Sequence, residues 1–288
     1  MRQRGVPCLS EGLTERAAPV LDPLRFLPSL VGALAAFAAA VSPAIAADLT
    51  ARQVTQQLYQ AGAAAAPVDF SGRDLGGLDL AGLAFKKARL AKTDLFGADL
   101  SGADLSGTDL STARLDRALI IRTRFDHARL QGASVLRPTT RSGFDYTPGE
   151  AASFAGADLT GAKLFGLFNG SNFSGAKLAG ASLAPFGHTG FIEMQWRTRL
   201  DGADLTGADL SDANLTQVSL RFANLKGAKL RGAVLKNADL AHADLTDADL
   251  TGADLTNADL YSARLTHAKG LASVGGLATV RNRDKAIP

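Results

Sequence analysis

The sequence predicts an all-β solenoid, a coil of very short strands stacked turn on turn. Two observations carry this. Leu recurs at every fifth position from Leu200 to Leu265, fourteen times without exception, and the residue two places earlier is Ala in twelve of the fourteen. A second run, Phe70 to Val135, keeps an apolar residue at every multiple of five. A fixed short period dictates architecture before any local propensity does.

Period five excludes the ordinary elements. On an α-helix a step of five turns a residue by about 140°, so the Leu row would spiral round the helix and leave no apolar stripe. On a flat strand, successive fifth residues face opposite ways. The row is buried only if the chain turns by the same angle in each pentad. The Leu and the Ala two before it then point inward, and the other three residues face water or form the corner. Ser, Thr, Asn, Asp and Gly fill those places, as in Ala203-Asp204-Leu205-Thr206-Gly207. These residue types suit turns.

The tandem A-(D/N)-L-(S/T)-G motif, spread over Phe70 to Leu265, resembles the pentapeptide-repeat family. The resemblance implies a right-handed quadrilateral parallel β-helix with four pentads per coil, so that stacked residues lie 20 apart.

Taken in order, residues 1–46 read as a secretory signal peptide with a long leader. Arg25 precedes an apolar run, Leu30–Val41, and Ala44-Ile45-Ala46 offers a cleavage site. The run is shorter than the ~20 residues a membrane span needs. Residues 47–67 read as a short N-terminal capping helix, with Asp48 as its cap and Ala51, Val54, Leu58 and Ala61 at helical spacing. The repeat region is expected over 68–270, with insertions at 136–153 and 184–199 where the period stops. Residues 271–288 read as a cap and frayed tail, with Leu271, Val274, Leu277 and Val280 available to close the last coil.

Outward positions read as a solvated face. One column runs Asp69, Arg89, Asp109, Arg129. Asp104→Ser or Asp249→Ser is expected to shift stability by less than about 0.5 kcal/mol. Composition excludes several functions. A net charge of +3 over 288 residues is no nucleic-acid footprint. The only Cys is Cys8, and the four His, at 127, 188, 242 and 267, are scattered, so no catalytic, metal or cofactor-binding constellation is expected.

Two functions follow. The first is a non-enzymatic, exported scaffold, bacterial and periplasmic, that presents a surface to a protein or envelope component. The second is implied by the resemblance: some family members imitate DNA and bind gyrase, and Asp239, Asp244, Asp247, Asp249, Asp254 and Asp259 form one acidic coil. Against mimicry stand the export signal and the basic first block, with Lys86, Lys87, Arg89, Arg122 and Arg124. The rarer residues gather in the insertions, where aromatics and Arg suit an interface core. The candidate partner-binding residues are Arg137, Arg141, Tyr146, Phe186, His188, Phe191, Trp196 and Arg197. Counting faces from Phe70 as face one and skipping the insertions, Val135 falls on face two and Phe154 on face three. Leu183 then falls on face one and Leu200 on face two, so the insertions leave from adjacent corners, on the order of 8 Å apart along the axis.

Overall fold

The computed structural model describes residues 47–63, 67–85, 88–143, 147–185 and 197–288. The signal-peptide reading of residues 1–46 lies outside them.

The inward rows are buried as the period requires. Phe70, Leu75, Leu80 and Leu100 are each 0% exposed, and from Ala88 onward the place two residues before the inward residue is mostly a buried Ala, as at Ala98. Where the Ala site carries Thr, the hydroxyl is buried and turns onto a backbone carbonyl: Thr93 donates to Phe70 and Thr123 to Leu100. After each inward residue the chain turns. The Ala103 N–H donates to the Leu100 carbonyl at 2.9 Å, and the turn residue between them, Gly102, has φ +67. Positive φ there explains the frequent Gly, Asn and Asp at that place.

Successive coils pair through parallel bridges between residues 20 apart, in four phases. Face one begins at Asp69, face two at Asp74, face three at Asp79 and face four at Ala84. Each strand is so short that it is mostly a single bridge residue. The longer pair among the described residues is β1 (Ser134–Leu136) with β2 (Lys163–Phe165), parallel, with Val135 opposite Leu164. The backbone is paired above and below: the Leu100 N–H donates to the Leu119 carbonyl at 2.8 Å, and the Asp99 N–H to the Leu78 carbonyl at 2.9 Å.

The helix α1 (Ala51–Ala63) places Val54 and Leu58 in the same buried cluster as Phe70. Its cap is Thr50, not Asp48. The Gln53 N–H donates to the Thr50 hydroxyl, and the Thr50 N–H donates to the Gln53 side chain at 2.8 Å. This is a reciprocal capping box. Asp48 serves elsewhere. Its carboxylate accepts the Asp74 N–H at 2.9 Å and its own N–H donates to the Asp74 carbonyl, which fastens the chain before α1 to the first coil.

The C-terminal residues are paired rather than frayed. Bridges at Lys269, Gly275, Arg281 and Ile287 fall six places apart rather than five, and a 3₁₀ turn lies between each and the next. The Leu265 N–H donates to the Ile287 carbonyl at 2.7 Å, and Val274 is buried.

The outward Asp does more than face water. Its Oδ1 accepts the N–H two residues on, inside the turn: Ser106 onto Asp104 at 3.0 Å, Ser101 onto Asp99 at 2.8 Å. Each such Asp therefore fixes its own corner. Leu105→Ala should lower stability by about 2–5 kcal/mol, and Asp104→Ala by about 1 kcal/mol. Urea denaturation of the two variants measures both, and an Asp104 variant as stable as the parent would remove the turn bond from the account.

These bonds also set the acid response. The Thr251 hydroxyl, then the Thr251 N–H, hold Asp249 below the ordinary 3.8, with Arg231 assisting against a smaller desolvation. The Thr256 hydroxyl acts first on Asp254 in the same direction, ahead of an opposing desolvation and then the Thr256 N–H and Lys236. A carboxylate whose pKa is depressed by folding contributes stability in full above its unfolded value, and loses it as pH falls through the folded one. The denaturation midpoint should therefore stay level from pH 7 to about 5 and fall steadily below pH 3.8. A midpoint unchanged down to pH 2 would contradict this.

Candidate functional site

The first insertion begins later than the sequence suggests. Pro138 is buried in an Ala place and Thr140 takes a Leu place, with Thr139 bridged to Leu119. The period is intact there although neither residue matches the motif, because the corner geometry and backbone pairing persist. Face three is therefore filled by Thr139, and Ser153 bridges Arg124 on face four. Phe154 lies on face four, not three. Leu183 falls on face two and Leu200 on face three, since Ser182 bridges Lys163 and Arg199 bridges Leu167. The count shifts by one throughout, and the corners remain adjacent: the first insertion leaves between faces three and four, the second between faces two and three.

The first insertion folds back on the coil. Pro148–Glu150 form a 3₁₀ turn, the Glu150 carbonyl accepts the Arg122 N–H at 2.8 Å, and the Glu150 carboxylate accepts the Ser142 N–H at 3.0 Å. Inside, the break is bridged by stacked rings. Phe154 lies 4.8 Å from Phe125 at 7° and 4.8 Å from Phe173 at 3°, with Phe168 edge-on to both Phe154 and Phe173. Each such pair contributes about 0.5–1.5 kcal/mol beyond its buried area.

Between the insertions, on the corner of faces two and three, lies an open cleft of about 290 Å³ lined by Arg137, Pro138, Phe165, Gly166, Leu167, Arg197 and Arg199. The chain drops one residue here, from Leu164 to Phe168, and Gly166 takes φ +142. A Cβ at Gly166 would meet Pro138 Cδ at 3.0 Å and Arg137 Cα at 3.3 Å. Only Gly lets the two coils approach. Phe165 is 7% exposed and forms an apolar wall; the Arg137 guanidinium lies 6.0 Å from its ring centre. Arg199 is held by Asp201, through Nε at 2.9 Å and a terminal nitrogen at 2.6 Å. None of the described residues lining the cleft is acidic.

Of the residues singled out in the sequence, Arg137 and Arg197 share this cleft. Arg141 lines a smaller recess beside it with Thr140, Thr147, Ala151, Leu167 and Asn169. Tyr146, Phe186, His188, Phe191 and Trp196 lie outside the described residues. Sequence reasoning missed Arg199, because it sits in the regular outward place of a pentad, and Phe165, Gly166 and Leu167, because the missing residue before Phe168 is legible in the period but the close approach of Gly166 to Pro138 on the neighbouring coil is not.

The acidic coil is neutralised in place. Arg221 lies 3.3 Å from Asp239, Lys226 3.4 Å from Asp244, Arg231 3.1 Å from Asp249, Lys236 3.2 Å from Asp254 and Arg281 3.7 Å from Asp259. Asp247 faces His267 at 3.5 Å. Face one alternates in sign down its whole length: Asp69, Arg89, Asp109, Arg129, Asp158, Lys177, Asp209, Lys229, Asp249 and Lys269 bridge in that order. Among the described residues, no group of three or more His, Cys, Asp or Glu is placed to hold a metal, and no helix is long and apolar enough to cross a membrane.

Among solved structures, the chain is similar to HetL, a pentapeptide repeat protein involved in heterocyst differentiation regulation from the cyanobacterium Nostoc sp. strain PCC 7120. The two are 29% identical, with 81% of this chain and 93% of that chain covered and a TM-score of 0.43. A pentapeptide repeat protein of the Arabidopsis thaliana thylakoid lumen is 26% identical, covering 56% and 68%, with a TM-score of 0.20. Full-length QnrB1, a plasmid-mediated fluoroquinolone resistance protein, is 17% identical, covering 69% and 89%, with a TM-score of 0.25. No curated protein matches the chain. The family model for pentapeptide repeats matches in eight copies, over residues 68–102, 98–134, 198–237 and 233–269. With inward rows, corners and coil register repeated through these segments, the chain belongs to the pentapeptide-repeat family.

Proposed function

We propose that the protein is a non-enzymatic, exported scaffold. Its right-handed quadrilateral coil, capped by α1, presents the cleft between its two insertions to an acidic segment of a protein or other envelope component. The observation that carries this is the cleft's composition: the Arg137 and Arg197 guanidinium groups, beside Arg199 already held by Asp201, stand over an apolar wall, with no carboxylate among its described lining residues. Arg forks match carboxylates in geometry as well as charge. The regular faces are repetitive and their charges are paired, so they offer little to tell one partner from another. The cleft is where the repeat is broken.

Paired charge also favours this reading over duplex mimicry. A mimic needs a sustained negative surface, whereas every column Asp of the acidic coil has a cation at ion-pairing distance. Purified protein should leave gyrase supercoiling unchanged at low micromolar concentration. Export rests on Arg25, the Leu30–Val41 run and the Ala44–Ala46 site.

Two measurements test the proposal. Protein recovered from the cell envelope should begin within a residue or two of Ala47; an intact chain confined to the cytosol would reject export. For the cleft, Arg137→Gln combined with Arg197→Gln should abolish salt-sensitive retention of envelope proteins on the immobilised chain. Circular dichroism should be unchanged. A companion variant replaces residues 186–196 with Gly and Ser and keeps Thr198, whose hydroxyl is buried and donates to the Leu183 carbonyl at 2.6 Å. Retention equal to the parent in the double-Arg variant would exclude the cleft.

A further inference from the structure

Three aromatic rings stand outside the coil on the corner between faces three and four. Phe222 is 61% exposed and Tyr261 46% exposed, and both are far from the insertions in sequence. The Phe222 ring lies 4.7 Å from the His242 ring at 1°, face to face, and the His242 ring meets Tyr261 edge-on at 5.4 Å. The spacing is that of the coils, because residues 222 and 242 occupy the same corner place in successive coils; Ser219 bridges Asp239.

Phe222 is unfavourable there on two counts. It is a large apolar side chain in water, and it sits at φ +58. That is the left-handed region, which a bulky residue enters at a cost. The equivalent corner elsewhere in the chain carries Gly, Asn, Asp and His, among others. A strained, exposed ring held flat on a neighbour is a hypothesis of function, not of fold.

The other face of Phe222 is directed at the preceding coil, where Gly202 occupies the corner. A Cβ built on Gly202 would meet nothing within 4 Å. Among the described residues, one step of the stack is therefore unfilled. A flat ring entering over Gly202 would lie on Phe222 as His242 does beneath it, at the separation the coils already impose. Arg221, whose guanidinium is 5.7 Å from the Phe222 ring centre, is held on the side of the His242 coil by Asp239 at 3.3 Å.

The setting selects the source of the ring. The notch is one coil high on a convex corner, whereas sites for free small molecules are concave and enclose most of the ligand. Around the rings lie polar outward residues: Arg199, Ser219 and Asp239 on face three, Asp204, Asn224 and Asp244 on face four. An aromatic centre with a polar rim is the anatomy of a protein interface, and Tyr and Trp are its commonest anchors. We propose that Phe222 and the unfilled step at Gly202 form a notch that takes a Tyr or Trp side chain projecting from a partner polypeptide. Of the cleft's lining only Arg199 reaches this rim, and neither Phe222 nor Gly202 lines the cleft, so either can fail without the other.

The test is NMR titration of the full chain with a capped peptide, Gly-Ser-Trp-Ser-Gly, against the same peptide with Leu at its centre and against methyl β-glucopyranoside. The Trp peptide should give saturable shifts of the Phe222 and His242 ring resonances, and the other two should give none. Phe222→Asn should abolish the His242 shifts without lowering the melting temperature, because Asn accepts positive φ. Gly202→His should also abolish them by filling the step; His already occupies such corners at 127, 242 and 267. Phe222→Tyr should retain them. Equal shifts with the Leu peptide, larger shifts with the glucoside, no shift at all, or full binding by Gly202→His would each overturn the proposal. A Phe222→Asn variant that melts lower would reassign the stack to holding the coils together.

Discussion

The structure depends on the chain returning to the same register once in every coil. A single coil cannot satisfy its own backbone, because its strands are one bridge residue long. Each coil is completed only by its neighbours, whose carbonyls and N–H groups lie at the stacking distance. The interior enforces the return. Beyond the first coil it holds one large apolar residue and one small residue in most pentads, and the residues there are almost entirely buried. A longer side chain in the Ala place would push the wall outward, and a polar one without a partner would be orphaned. The buried Thr side chains avoid this by bonding back to carbonyls.

Charge follows from the same register. Asp in the outward place holds its own corner through Oδ1 and uses Oδ2 for a cation from a neighbouring coil, as Asp249 does with Thr251 and Arg231. Exposed ion pairs of this kind contribute little energy each. Their effect is on the field: pairing at coil spacing leaves faces that alternate in sign. Face one carries this furthest. Its alternation survives both insertions, although the partners there, Arg129 with Asp158 and Lys177 with Asp209, are further apart in the chain than the regular spacing.

The insertions show what a coil tolerates. They leave from corners, where no inward residue is lost, and the coil resumes on the next face. The first is spanned inside by Phe125, Phe154 and Phe173, whose stacked rings replace the smaller Leu contact at the broken turn. Between the insertions the coil shortens at Gly166, and this exposes the edge of Phe165 and gathers three Arg side chains. The irregular surface is thus a product of three defects acting together, an insertion on each side and a deletion between them.

The sequence by itself determined the inward rows, the corners and the N-terminal helix, because these are periodic and burial acts on every period alike. It placed Leu105 inside, and it marked Arg137 and Arg197 as residues outside the repeat. It misread Pro138 and Thr140, which keep the geometry while breaking the motif, and so shifted the faces by one. It took Asp48 for a helix cap, although the reciprocal Thr50–Gln53 pair was written in the chain, because the competing partner, Asp74, lies on a coil that exists only once the chain has turned. The cleft, the neutral acidic coil and the ring stack at Phe222 were decided by tertiary structure. Each depends on which residues are carried onto neighbouring coils, and a period of five fixes that pairing only where nothing interrupts it.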